Sequence, residues 1–210
     1  MTSSDARELL LLAGERLIAE RGIDVPLREV AVAAGQRNNS AVHYYFGSRD
    51  GLVEAIIERR QAPLEQRRMS LLAEHESSGG DDDIAVLVEI LVRPMFDIPY
   101  ADGSTHYARF LERVRTHPAV TRSQTGAAGW PTLRILIARL KRSLHHLPPA
   151  MRERRLSAMA SAMFAWLADH EGRVIGHRSA DAAQHAESEA DIIAMIVGML
   201  TAQPARCRAE

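Results

Sequence analysis

Residues 27–46 read LREVAVAAGQRNNSAVHYYF, and how this stretch is parsed decides the fold. Leu27, Val30, Ala31 and Ala34 fall at i, i+3, i+4 and i+7, one stripe of a helix, with Arg28 and Glu29 pointing away from it. Gly35 ends that helix, because glycine tolerates the left-handed backbone just past a helix end, and Gln36, Arg37, Asn38 and Asn39 continue as polar turn residues. Asn39 or Ser40 is placed to cap a second helix whose buried side is Ala41, Val42, Tyr45 and Phe46. Asn38, Asn39, Ser40, His43 and Tyr44 are left facing water. Two short helices across a tight turn, the second polar near its N-terminus, is helix-turn-helix anatomy. In that arrangement the second helix enters the major groove and the first crosses the backbone.

Outward from this stretch, Asp5 and Glu8 read as a capping box for a first helix with an apolar face of Leu9, Leu10, Ala13, Leu17 and Ile18, closed by Gly22. Three helices then enclose Leu10, Leu17, Val30, Val42 and Phe46. Gly47 breaks the second helix of the pair, Ser48 caps the next, and Asp50 suits its positive end. Arg49 there is placed for a phosphate oxygen. Tyr45 divides its role, ring in the bundle and hydroxyl toward phosphate, while Arg28 faces either a phosphate or an acid of its own helix. Asparagine pairs bidentately with adenine and serine with several bases, each good pair contributing about 1–3 kcal/mol of discrimination. Residues 1–60 hold eight arginines against nine acids. Positive charge must therefore be focused at Arg28, Arg37 and Arg49 and doubled in a dimer, which predicts few phosphate contacts and a modest salt dependence.

With AGERLIAERGID at 13–24 before it and HYYFGSRDGL at 43–52 closing it, the stretch resembles the DNA-binding domain of the TetR family of transcriptional regulators over roughly residues 5–60. Two features differ from the family pattern. One residue more stands between Ala-Gly and Tyr-Phe, which enlarges the 36–40 turn, and Pro26 occupies a position where a Thr or Ser cap is common. The resemblance implies an all-α protein with an N-terminal three-helix, homeodomain-like bundle in residues 1–50 and a larger helical domain in residues 51–210 for ligand binding and dimerisation. It further implies a homodimeric regulator, a repressor by expectation, on a palindromic double-stranded DNA operator.

The rest of the chain supports a helical reading. Hydrophobic residues at 46% and charged residues at 25% are ordinary for a soluble domain, and the net charge of −1 does not by itself nominate nucleic acid. No apolar run reaches the roughly 18 residues of a membrane span and no signal-peptide layout is present, so a cytoplasmic protein without membrane partners is expected. A long helix from Leu52 through Leu72 is predicted to kink or break at 59–63 because of Pro63, and residues 74–83 read as a loop. Further helices are predicted at 84–98, bent by Pro94, and at 105–117, 132–147, 151–171 and 190–200, with 173–188 ambiguous. No strand-like alternation and no repeat occur.

Met95, Phe96, Tyr107, Phe110, Trp130, Met159, Met163 and Trp166 supply adaptable apolar surface that either fills the core or lines a cavity. Arg109 and Arg113 beside Phe110 are placed for an acidic group of a ligand or for surface pairing. Since similar proteins sense small molecules with this half, the resemblance implies a small apolar or amphipathic effector; such a ligand is expected to favour a conformer in which the helix carrying Pro63 has moved. Small residues at 158, 160–162, 165, 194 and 198 suit close helix packing, either within the monomer or, as the resemblance implies, in a four-helix dimer interface. The histidines at 145, 146, 170, 177 and 185 lack metal-site spacing, no phosphate loop or cofactor motif appears, and Cys207, the only cysteine, has no base beside it. Neither metal, cofactor nor catalysis is therefore expected. Two rival readings are a helical enzyme and an architectural DNA-binding or interaction module on the same scaffold.

Overall fold

The computed structural model describes residues 3–38, 40–97, 105–120, 130–176 and 182–204. Within them the chain forms helices and no strand, as the sequence predicts. α1 (Ser3–Arg21), α2 (Leu27–Ala33) and α3 (Ala41–Phe46) build the N-terminal bundle. α4 (Arg49–Ser77) leads out of it to α5 (Ile84–Val92), α6 (Pro94–Asp97), α7 (Tyr107–Val114), α8 (Pro131–Ser143), α9 (Pro149–Gly176) and α10 (Ala182–Thr201).

The four leucines at 9–12 give α1 more apolar surface than one stripe holds. Leu10, Ala13, Leu17 and Ile18 are buried as expected and Leu11 joins them, while Leu9 is exposed. α1 packs against α7 as well as α2 and α4. The helix begins at Ser3, ahead of Asp5, and Glu8 accepts a hydrogen bond from Arg59 Nε of α4 at 2.8 Å.

α4 runs unbroken through Pro63, so of the expected kink or break the break does not occur. The missing N–H of Pro63 deprives only the Arg59 carbonyl of a helical bond, and the helix is held from outside on both sides of it. Before Pro63, Arg59 and Arg60 pair with Glu8 and Glu15 of α1. After it, the Glu65 carboxylate accepts the backbone N–H groups of Thr132 and Leu133, the second at 3.2 Å, at the start of α8. Arg68 donates through Nε to the Leu91 carbonyl in the last turn of α5 at 3.1 Å. These groups satisfy helix ends that would otherwise be orphaned, with charges of the sign the helix dipole favours. α9 does the same through Glu171, which accepts from the N–H of Ala108 at 3.2 Å and of Arg109 at 3.0 Å, and through Arg155, which donates to the Leu200 carbonyl at 2.6 Å.

Pro94 ends α5 rather than bending it, and the single turn α6 follows. α4 continues to Ser77, which shortens the predicted loop, and Asp83 caps α5 by accepting the Ala85 N–H at 2.7 Å. Two buried clusters result. One joins α1–α4 to Tyr107, Phe110, Leu111 and Val114 of α7 and Phe164 of α9; the other lies mainly among α5, α8, α9 and α10. Met95 and Met163 touch both. Burying a side chain such as Phe110 contributes about 1.5–3 kcal/mol, so α7 inserted into the first cluster pins the N-terminal bundle against the rest of the chain.

Candidate nucleic-acid interface

α2 stops at Gly35, whose φ of +69° is the left-handed backbone that a Cβ would strain. The Gly35 N–H reaches the Val32 carbonyl at 2.9 Å and the Gln36 N–H reaches the Ala31 carbonyl at 2.9 Å, the paired bonds of a Schellman end. The next corner is turned by Asn38, not by a capping serine. Asn38 Oδ1 accepts the Ser40 N–H at 2.9 Å, and the Asn38 carbonyl accepts the Ala41 N–H at 3.0 Å. Ser40, with φ −91° and ψ 6°, lacks the extended backbone that aims an N-cap side chain, and its hydroxyl makes no cap bond. Asn39, the other predicted cap and base contact, lies outside the described residues.

α3 buries Ala41 and Val42, and Tyr45 and Phe46 pack against the first cluster, with the Arg7 guanidinium 5.3 Å from the Phe46 ring centre. Its other side is open: Arg37, Asn38, Ser40, His43 and Tyr44 are exposed, Tyr44 at 79%. Tyr45 is half-buried and meets the edge of Tyr44, ring centres 4.9 Å apart. His43 Nδ1 lies 3.0 Å from the Gly47 carbonyl oxygen. Ser48 caps α4 as the sequence predicts, accepting the Gly51 N–H at 3.1 Å. Arg49 is placed differently from the phosphate expectation, since one terminal nitrogen donates to the carbonyls of Ile23 and Val25, the second at 2.7 Å, and ties α4 to the α1–α2 turn. Arg28 does not pair within its helix. Glu29 is taken by Arg21 at 2.5 Å, and Arg28 borders an open groove with Leu17, Arg21, Glu29, Val32 and Ala33.

The pocket candidates are distributed rather than gathered. Tyr107 and Phe110 belong to the first cluster and stack with ring centres 6.1 Å apart, whereas Met159 belongs to the second. Phe96, Trp130 and Trp166 pack against the second cluster, Met95 and Met163 touch both, and Arg113 is exposed. Arg109 is occupied, donating to Glu171 at 3.4 Å and to His106 Nδ1 at 2.8 Å. A cavity of about 20 Å³ lies among Arg60, Leu64, Met95, Thr105, Tyr107, Ala108 and Glu171. That volume suits about one water molecule.

Sequence reading missed the polar chain beside this cavity. Arg60 donates through Nε and a terminal nitrogen to the two Glu15 carboxylate oxygens at 3.1 and 3.2 Å, and its guanidinium stands 5.5 Å from the Tyr107 ring centre. Gln61 donates to the Tyr107 hydroxyl at 3.3 Å and accepts from Arg68 at 3.2 Å. Burial raises Glu15 above the ordinary carboxylate range, with Arg60 opposing it, raises the Tyr107 hydroxyl, and lowers Arg68 to about 10. Burial and the neighbouring Arg109 charge lower His106. The signal for the chain was a carboxylate in an apolar stripe, since Glu15 sits four residues after Leu11 and three before Ile18.

Among the described residues no group of three metal-binding side chains converges, and no helix is long and apolar enough to cross a membrane. No curated protein matches the chain. Residues 10–56 match the family model described as bacterial regulatory proteins, tetR family, and residues 89–202 match the model described as tetracyclin repressor-like, C-terminal domain. Regulators of this kind are generally DNA-binding proteins without enzymatic activity. With an outward-facing helix-turn-helix at one end and the matching helical domain at the other, the chain is a DNA-binding transcriptional regulator of the TetR family.

Proposed function

We propose that this regulator is a ligand-responsive repressor that binds a palindromic operator as a homodimer, with residues 1–50 reading DNA and residues 51–210 binding the effector and the second subunit. The observation that carries the reading is α3 itself: Ser40, His43 and Tyr44 face solvent while Ala41 and Val42 on the opposite side are buried. A helix held in this way offers polar and aromatic groups to base edges in the major groove. Asn38 contributes through its amide NH₂, because its oxygen is engaged by Ser40. Arg28 and Arg37 supply the charge for phosphates, and Arg49 adds the N–H groups it does not spend on the turn.

The dimer reading is supported by the outer surfaces of α9 and α10. Ala158, Ser161, Ala165, Ala194, Met195 and Gly198 are exposed there, opposite the buried Leu156, Met159, Ile192 and Ile196. Small side chains permit the close approach of a four-helix interface, and a two-fold pair places two recognition helices about 34–36 Å, or a multiple of that, apart.

Induction follows from where α4 is anchored. Ahead of Pro63 the helix is bound to α1, and beyond it to α5 and α8. A small apolar or amphipathic effector that parts the helices around Leu64, Met95 and Tyr107 must enlarge the one-water cavity, and so favours a conformer in which the two halves of α4 are re-angled at Pro63. It acts only through its differential affinity for the two conformers, typically about 1–3 kcal/mol of coupling. A gel-shift titration of the chain against its own upstream DNA, with Tyr44→Ala and Pro63→Ala and a metabolite panel, tests the reading. Tyr44→Ala should abolish the specific shift with folding intact, and Pro63→Ala should alter release by the effector more than DNA affinity. Unchanged specific binding in Tyr44→Ala would refute the assignment of α3.

A further inference from the structure

We propose that His43 is a specificity-determining residue that presents a hydrogen-bond acceptor to the operator, and so selects base pairs that place an exocyclic amine, adenine N6 or cytosine N4, at its point of contact. This rests on the reading that α3 lies in the major groove. The Gly47 carbonyl oxygen 3.0 Å from His43 Nδ1 has only lone pairs to offer, so Nδ1 carries the proton. In a neutral imidazole the other nitrogen, Nε2, is then an acceptor without a hydrogen. The carbonyl that sets this polarity is itself fixed. Gly47 sits at φ +73°, and its N–H is bonded to the His43 backbone carbonyl at 2.9 Å, so the end of α3 clamps residue 47 against residue 43.

The neighbouring groups do not share this restriction. The hydroxyls of Ser40 and Tyr44 rotate to donate or accept, and Asn38 offers N–H groups. Among the described residues of this face, His43 is therefore the exposed group that the fold restricts to accepting. Adenine N6 and cytosine N4 are the major-groove donors, whereas guanine O6 and N7, adenine N7 and thymine O4 accept. Nε2 set against one of those acceptors would leave two lone pairs facing each other without a proton between them. A single neutral hydrogen bond of this kind is worth about fivefold in affinity.

The test is a double-mutant cycle between protein and DNA. Duplexes are first selected with the full chain from a randomised pool. Each half-site position is then altered in turn, adenine to purine or cytosine to pyrimidin-2-one to delete the amine, and guanine to 7-deazaguanine to delete an acceptor. Deleting one amine should weaken the unaltered protein about fivefold and leave His43→Ala unaffected. Coupling of His43 to a deleted N7, or an equal loss for His43→Ala on every sequence, overturns the proposal. Ser40→Ala and Tyr44→Ala run in parallel separate the two possible failures. If they couple to base changes and His43→Ala does not, the His43 assignment alone is lost; if none couples, the groove placement of α3 is lost as well. Melting curves check that each exposed substitution leaves the fold intact.

Discussion

Replacing Glu15 by leucine should cost far more than replacing Glu15 and Arg60 together. The Glu15 and Arg60 side chains are 1% and 7% exposed, and two N–H groups of Arg60 meet the two carboxylate oxygens at 3.1 and 3.2 Å. Taking away the carboxylate leaves a guanidinium buried between α1, α4 and Tyr107 with its main countercharge gone. Breaking a buried pair in this way costs about 3–5 kcal/mol. At roughly 2–4 °C per kcal/mol for a chain of this size, Glu15→Leu should lower Tm by about 6–20 °C. Arg60→Met should cost a similar amount. The double replacement Glu15→Leu with Arg60→Met removes both desolvation penalties and fills the space with carbon, so it should return to within about 1 kcal/mol of the unaltered protein or exceed it. Urea unfolding followed by circular dichroism at fixed protein concentration measures all four species, the concentration being fixed because the stability of the proposed dimer would depend on it. A loss below about 1 kcal/mol for Glu15→Leu, or a double variant as unstable as the sum of the singles, would refute the reasoning.

Three further outcomes follow from other parts of the molecule. Glu171→Ala removes a carboxylate that receives the Thr105 hydroxyl and the first N–H groups of α7, and should cost about 1–3 kcal/mol while accelerating amide exchange at Ala108 and Arg109; unchanged exchange there would contradict the capping role. Gly35→Ala meets no atom within 4 Å but inherits a φ of +69°, so it should lose about 1–2 kcal/mol by backbone strain alone, and a stabilised variant would show that the turn relaxes. His106 titrates below its ordinary value because burial and Arg109 disfavour its charged form. Its folded pKa is thus lower than its unfolded one, and its contribution to stability is complete above about pH 6.5 and lost as pH falls through the lowered value. His106→Gln should flatten that fall in a Tm-against-pH series, and an identical profile would rule it out.

The N-terminal fold was legible because it is local. The stripe Leu27, Val30, Ala31, Ala34 and the two glycines at 35 and 47 dictate helix, stop and helix within twenty residues, and the burial of Val30, Ala31, Ala34 and Val42 agrees with that reading. What local spacing did not carry was the set of long-range partners. Leu9 is exposed although the stripe included it, Glu8 is engaged by Arg59 of α4, and Arg49 turned to two carbonyls some 24 and 26 residues earlier. Pro63 was weighed as a helix breaker from its own chemistry, yet the pairs that Arg59, Arg60, Glu65 and Arg68 make around it hold α4 together. The same limit applies to the aromatic and methionine candidates. Their residue types suit both a cavity and a core, and only the packing reveals that they are divided between two buried clusters.

The most direct trial of the central claim is a hydroxyl-radical footprint of the purified chain on a duplex it selects. Two protected patches on one face of the DNA, about one helical turn or a multiple apart and both erased by Tyr44→Ala, are the predicted result. A single patch, or protection that survives Tyr44→Ala, would contradict a symmetric pair of recognition helices reading the operator through α3.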